Sequence, residues 1–219
     1  MRIRTVPLVK VCGIQRVQDA LAAVDFGATA VGFIFWPGSA RCVDPEQARM
    51  ISAALPAHVL RVGVFVDQEP AQVTEVARRV PLGAIQLHGS ESVTAYLASG
   101  CGIIKAFGVS STFDAAAVDA LPAHVTVLLD AHDPVRHGGT GRTIDWSVAA
   151  AIAARRRTIL SGGLTPQNVR EAVRRVHPSM VDVSSGVEAA PGIKDPAKLR
   201  AFFEALAPPI HDSVLQDGD

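Results

Sequence analysis

The chain predicts an α/β fold, a single-domain (βα)8 TIM barrel, and three observations carry that prediction. Short β-branched runs alternate with Ala-rich amphipathic segments from one end to the other, the pattern of repeated βα units around a parallel sheet. At 219 residues the length suits one such domain, and no break in composition marks the start of a second. No Gly-x-Gly-x-x-Gly follows the first strand, so nothing points to an open dinucleotide-binding sheet.

The strands are expected at Leu8 to Cys12, Ala30 to Phe35, Leu60 to Val66, Ala84 to Leu87, Ile103 to Phe107, Val125 to Asp130, Thr158 to Ser161 and Met180 to Ser184. The helices between them are expected near Val17 to Phe26, Pro45 to Leu55, Pro70 to Val80, Val93 to Ser99, Phe113 to Leu121, Trp146 to Ala154, Pro166 to Val176 and Pro196 to Leu206. Several open on a proline, as in Asp44-Pro45, Glu69-Pro70, Thr165-Pro166 and Asp195-Pro196. Proline loses nothing at the first helical position, where its missing N–H would have had no partner. The catalytic domain is therefore expected over residues 1–207, and the Pro-rich, acidic stretch 208–219 has no packing pattern and is expected to be a disordered tail.

Composition narrows the function classes. Lys plus Arg and Asp plus Glu both number 21, so no net field draws the chain toward nucleic acid or an anionic membrane. The three cysteines, Cys12, Cys42 and Cys101, are far apart and odd in number, which suggests neither a disulfide framework nor a thiolate zinc site. Apolar runs stop short of a membrane span and the N-terminus lacks a signal-peptide core, so a soluble, cytoplasmic protein is expected. Oligomeric state is not legible, and a monomer is the default expectation.

The last two strands each run into small residues, Ser161-Gly162-Gly163 and Ser184-Ser185-Gly186. Turns of that kind expose backbone N–H groups, and the final strand ends of a βα barrel are a recurrent phosphate site. The same residues also serve simply to close βα turns. Cys12 ends the first strand at the expected barrel mouth, either as an inert core thiol or as a thiolate stabilised by a cationic neighbour. Asp130 closes the sixth strand, as a loop cap or as an acid facing Cys12 across the ring. His88 after the fourth strand and Asp182 in the eighth are weaker ligand-binding candidates, each open to a structural role, and Lys10 and Lys105 read as charges inside the barrel.

Two connections exceed what barrel closure needs: Trp36 to Asp44, which carries Arg41, and Ala131 to Asp145, with His132 and the run Gly138-Gly139-Thr140-Gly141. Both follow strands and so stand over the catalytic face, where the second has the glycines of a lid. It lacks Gly-x4-Gly-Lys-Ser/Thr and is not a P-loop.

Taken in order, Lys10 to Ile14, Gly38 to Arg41, Gln86 to Gly89, Leu128 to Asp130, Gly138 to Trp146, Gly162 to Val169, and Asp182 to Glu188 with Gly192 to Asp195 form a set that resembles the phosphoribosylanthranilate isomerase family over nearly the whole chain up to about Leu206. The resemblance implies an Amadori rearrangement of N-(5-phosphoribosyl)anthranilate in tryptophan biosynthesis, with no metal and no organic cofactor. It implies that Cys12 is the general base, that Asp130 is the general acid, and that Arg41 binds the anthranilate carboxylate through paired charge-assisted hydrogen bonds. The substrate phosphate would then fall to Gly162, Gly163, Ser185 and Gly186. Cys42, after Arg41, departs from the bulky residue common in the family. Other sugar-phosphate barrels stay in view: indole-glycerol-phosphate synthase would want a lysine pair with glutamate, a pentose-phosphate epimerase metal-binding histidines, and the aminoimidazole-carboxamide isomerase an aspartate at position 12. A phosphate-binding barrel without catalysis is the alternative outside enzymes.

Overall fold

The structure, a computed structural model, describes residues 6–110, 113–131 and 144–207. Eight parallel strands form a closed barrel in chain order: β1 (Leu8–Cys12), β2 (Ala30–Ile34), β3 (Leu60–Phe65), β4 (Ala84–Leu87), β5 (Gly102–Val109), β6 (Thr126–Ala131), β7 (Thr158–Leu160) and β8 (Met180–Val183). Closure is made by β1 pairing with β8, which sets Lys10 opposite Asp182, while pairing with β2 sets Cys12 opposite Gly32. Around the barrel lie α1 (Val17–Asp25), α2 (Pro45–Ala53), α3 (Pro70–Arg79), α4 (Ala116–Asp119), α5 (Trp146–Ala153), α6 (Val169–Val176) and α7 (Pro196–Leu206). Among the described residues no helix is long and apolar enough to cross a membrane.

The proline-led helix starts hold where an aspartate precedes the ring. Asp44 accepts from the Glu46 and Gln47 N–H groups, and Asp195 accepts from those of Ala197 and Lys198, so each carboxylate satisfies two donors the helix itself cannot. Glu69 makes no such bond, and Pro70 alone marks the start of α3. Thr165-Pro166 does not open α6. The Asn168 side chain accepts from Thr165 N–H and donates to the Gly163 carbonyl, which holds this stretch as a turn and delays the helix to Val169.

Two other expected helices are weaker than the sequence pattern suggests. Val93–Ser99 forms a 3-10 helix that ends on Gly100 in the left-handed region, and the segment before β6 keeps only the four residues of α4. Between β8 and α7 the chain forms an element the periodicity does not announce. It is an antiparallel hairpin, β9 (Glu188–Ala190) and β10 (Ile193–Lys194).

Side chains alternate across every strand, so the core has two layers. Outward residues such as Val9, Val11, Val31, Phe33, Val127 and Leu129 pack under the helices. Inward residues Ala30, Val62, Ala84, Ile104, Ala106, Leu128, Ile159 and Met180 line the barrel's lower interior. Burying one such Leu or Ile stabilises the fold by roughly 1.5–3 kcal/mol. The same alternation corrects the reading of Lys105: Ile104 and Ala106 take the inward positions, and Lys105 turns outward to donate to the Gly89 carbonyl and to Glu91 at 2.7 and 2.9 Å. Lys10 is inside, fully buried.

Candidate active site

At the carboxyl ends of the strands the inward positions change character, and a cavity of about 730 Å³, open solvent included, is lined by Cys12, Arg41, His88, Asp130, Gly162, Gly163, Asp182, Ser185 and Gly186. Every ligand-facing residue expected from the sequence lies on this one cavity. The expected loop glycines Gly138 to Gly141, His132 and the tail from Pro208 lie outside the described residues.

Cys12 stands at the last position of β1, buried, and the absence of a side chain at Gly32 on the neighbouring strand makes its room. A Cβ there would come within 2.7 Å of Cys12 Sγ and 3.1 Å of Lys10 Nζ. The Lys10 ammonium donates to Asp182 Oδ1 at 2.9 Å across the β1–β8 seam. Burial pushes the Lys10 ammonium toward losing its proton, but Asp182 and the Cys12 thiol more than reverse this, so it stays charged. For Cys12 the balance goes the other way. Burial pushes the thiol up, and Lys10 and Lys194 only partly pull it back, against an opposing push from Asp182. A thiol lowered by its cationic neighbours is thus not what the site holds, because desolvation outweighs them.

Asp130 sits one position before the end of β6 with only 6% of its surface exposed. Its Oδ1 accepts from the Ala131 N–H at 2.8 Å, and its Oδ2 lies 3.5 Å from His88 Nε2. Gly162 lies against this carboxylate: a Cβ there would meet Ala131 N at 2.5 Å and Asp130 Oδ1 at 3.0 Å. Asp182, weighed above as a ligand group or a satisfied interior carboxylate, has the Lys10 ion pair and fits the second description best.

The two glycine turns meet backbone to backbone. Gly162 and Gly163 both have positive φ, 86° and 61°, and a Cβ on Gly186 would collide with the carbonyl oxygen of Leu164. Among the described residues no acceptor takes the N–H of Gly162, Gly163, Ser185 or Gly186, so four donors remain at one end of the cavity. A long helix does not begin directly at either turn. Gly163 is followed by the Asn168-held turn, and β8 by a single 3-10 turn, Ser185–Val187, so the site rests on loop N–H groups rather than a helix dipole.

Arg41 reaches the cavity from the loop after β2. Its Nε and Nη2 donate to Glu188 at 2.9 and 2.7 Å, and Lys194 Nζ donates to Glu188 Oε1 at 2.7 Å. Burial works to raise the Glu188 carboxyl, yet Arg41 and Lys194 hold it below the usual carboxylate range, so it is an anion between two cations. Gly13, at φ 74°, gives the Arg41 stem its passage, since a Cβ there would come 2.7 Å from Cδ. A ligand carboxylate therefore has the Nη1 side of the guanidinium to approach. Cys42 is held from its backbone: its carbonyl accepts from Gln15 Nε2 at 2.7 Å.

Sequence reasoning missed Glu188 and Lys194 as a pair, and Gln86 as a cavity residue. The signal available for the first was Ala190-Pro191-Gly192-Ile193, a Pro-Gly turn flanked by two short runs, which is a hairpin mark. Among the described residues no group of three or more His, Cys, Asp and Glu side chains could hold a metal ion.

A profile described as N-(5'-phosphoribosyl)anthranilate isomerase matches residues 9–205. The chain belongs to that family. An N-(5'-phosphoribosyl)anthranilate isomerase of Geobacter sulfurreducens is 50% identical over 197 residues, covering 89% of this chain and 96% of the relative. The crystal structure of the phosphoribosylanthranilate isomerase of Thermotoga maritima superposes with a TM-score of 0.84 at 45% identity, over 91% of this chain and 98% of that one. A solved member of the family in complex with reduced 1-(o-carboxyphenylamino)-1-deoxyribulose 5-phosphate is 44% identical with a TM-score of 0.81, over the same 91% and 98%.

Proposed function

We propose that this member of the phosphoribosylanthranilate isomerase family converts N-(5'-phosphoribosyl)anthranilate into 1-(2-carboxyphenylamino)-1-deoxyribulose 5-phosphate, a step of tryptophan biosynthesis, with Asp130 as general acid and Cys12 as general base. The observation that carries the assignment is a thiol and a carboxyl on one cavity with four unpaired N–H groups and a guanidinium. A substrate with a phosphate at one end and a carboxylate at the other matches both anchors. Its reacting carbons then lie over the middle of the mouth.

Asp130 gives its proton to the furanose ring oxygen. The C1–O bond breaks with its electron pair going to that oxygen, and the aniline nitrogen's lone pair forms the C=N bond of an iminium. Cys12 as thiolate takes the proton from C2, and the C–H pair forms C1=C2 while the iminium nitrogen regains its pair. The resulting enolamine tautomerises to the ketone. C1 is reduced and C2 oxidised within one molecule, so the step balances with acid and base alone.

Burial raises the barrier to forming the thiolate and, for the same reason, makes it a stronger base once formed. Lys10 and Lys194 are the cations that favour it. The phosphate is held by the N–H groups of Gly162, Gly163, Ser185 and Gly186 and the substrate carboxylate by Arg41, with Asp182 and His88 supporting groups on the cavity wall. The test is the fluorescence of N-(5'-phosphoribosyl)anthranilate on adding catalytic amounts of protein: its disappearance is expected, and a signal that stays constant would overturn the reading in favour of a phosphate-binding barrel without catalysis.

A further inference from the structure

Gln86 is 1% exposed, lines the cavity from β4, and places its Nε2 2.9 Å from His88 Nδ1. Its Oε1 is buried without a partner among the described residues. His88 in turn sets Nε2 3.5 Å from Asp130 Oδ2. From these contacts we infer that Gln86 is a positioning residue that locks the tautomer of His88 and thereby keeps the acidic proton of Asp130 available to the ligand.

An amide nitrogen has hydrogens and no free acceptor, so Gln86 Nε2 facing Nδ1 makes Nδ1 the lone-pair nitrogen of a neutral imidazole. In the proposed lock the ring proton is then on Nε2, the nitrogen that faces Asp130. On Asp130 the Ala131 N–H already occupies Oδ1 at 2.8 Å, which leaves Oδ2 to carry the carboxyl proton. An Nε2 that already bears hydrogen cannot accept that proton, so Oδ2–H is directed to the cavity and not lost to the imidazole. Once Oδ2 has released its proton and kept the O–H electron pair, the same Nε2–H stabilises the new carboxylate. The long contact is of the kind that shortens when a ligand closes the site. In the opposite tautomer Nε2 would accept from Oδ2–H and compete with the substrate for the proton.

The inference rests on Asp130 being the acid, and the experiment separates the two. Two-bond 1H–15N spectra of the histidine rings in the whole wild-type protein, with His88→Gln to assign the signal, are expected to show His88 protonated on Nε2 and free on Nδ1. Protonation on Nδ1 overturns the lock. Gln86→Glu, whose carboxylate can only accept from Nδ1, is expected to move the proton to Nδ1 and lower kcat by roughly tenfold to a hundredfold, the range seen when an outer partner of a functional group is lost, with KM changing less. An unchanged kcat in a folded variant whose tautomer has switched also overturns it. His88→Gln, which keeps a neutral donor, should retain more of kcat than His88→Leu, and equal losses count against the donor role. If Asp130→Asn remains active, the acid assignment itself fails. If that variant is inactive but the wild-type tautomer is Nδ1–H, only the lock fails.

Discussion

The two ends of the barrel interior are built from the same strands and differ in nearly everything else. Low in the barrel, Ala30, Val62, Ala84, Ile104, Leu128 and Ile159 form an apolar plug, with a second cavity bordering Val62, Ala84, Ile104 and Ile159. Two positions higher on the same inward rows stand Gly32, Gln86, Asp130, and, from β1 and β8, Lys10, Cys12 and Asp182, all buried and mostly paired. An apolar plug gives stability without direction. Buried polar groups cost desolvation and contribute directed hydrogen bonds and shifted proton affinities instead. The comparison teaches that the lower layer supplies the stability against which the upper layer can hold charges out of water.

Substitutions should therefore separate the two ends cleanly. Cys12→Ser and Asp130→Asn are expected to lower kcat by about 10²–10⁴-fold while moving the melting temperature little, and near-normal turnover by either variant breaks the division. Ile104→Ala, on β5, which contributes no expected catalytic or ligand-binding residue, should do the opposite. It should cost about 2–5 kcal/mol in denaturant unfolding through the cavity it leaves, with kcat of the folded protein preserved. Arg41→Ala should raise KM by roughly tenfold to a hundredfold, as the loss of a hydrogen bond to a charged group predicts, and leave kcat nearly intact. An unmoved KM would mean that Glu188 keeps this guanidinium from the substrate altogether.

The smallest effect sharpens the electrostatics of the upper layer. With Cys12 as the proposed general base the active form is the thiolate, and burial pushes the thiol up, so kcat/KM should climb as pH rises through that thiol's titration, with a slope near one on a logarithmic plot. Lys194 pulls the thiol down, so Lys194→Met should move the climb to higher pH by about one unit or less and reduce activity at neutral pH. A climb that moves to lower pH would exclude Lys194 as a stabilising cation.

Much of this was legible in the chain. The strand starts Leu8, Ala30, Leu60, Ala84, Thr158 and Met180 coincide with those observed, because a buried parallel strand needs a short apolar run and turn residues mark its ends. Cys12, Asp130 and the two glycine turns could be placed at strand ends for the same reason. Pro166 misled, since proline is as good in a turn as at a helix start and only the Asn168 side chain decides between them. Lys105 misled because Gly102–Val109 begins earlier than its apolar run, so inward and outward could not be assigned before neighbouring strands fixed the register.

By itself the amino-acid sequence determined the number and order of βα units, the family pattern, and which residue types end each strand, since these follow from local periodicity and turn chemistry. Only the tertiary structure decided the company those residues keep. The Arg41 and Glu188 bond joins positions 147 residues apart and the Lys10 and Asp182 pair joins positions 172 apart, both brought together only when β1 closes on β8 and the hairpin folds beside it. Proton affinities at the site, upward for Cys12 and downward for Glu188, arise from that closure, because burial and neighbouring charge are properties of the assembled barrel and not of any segment.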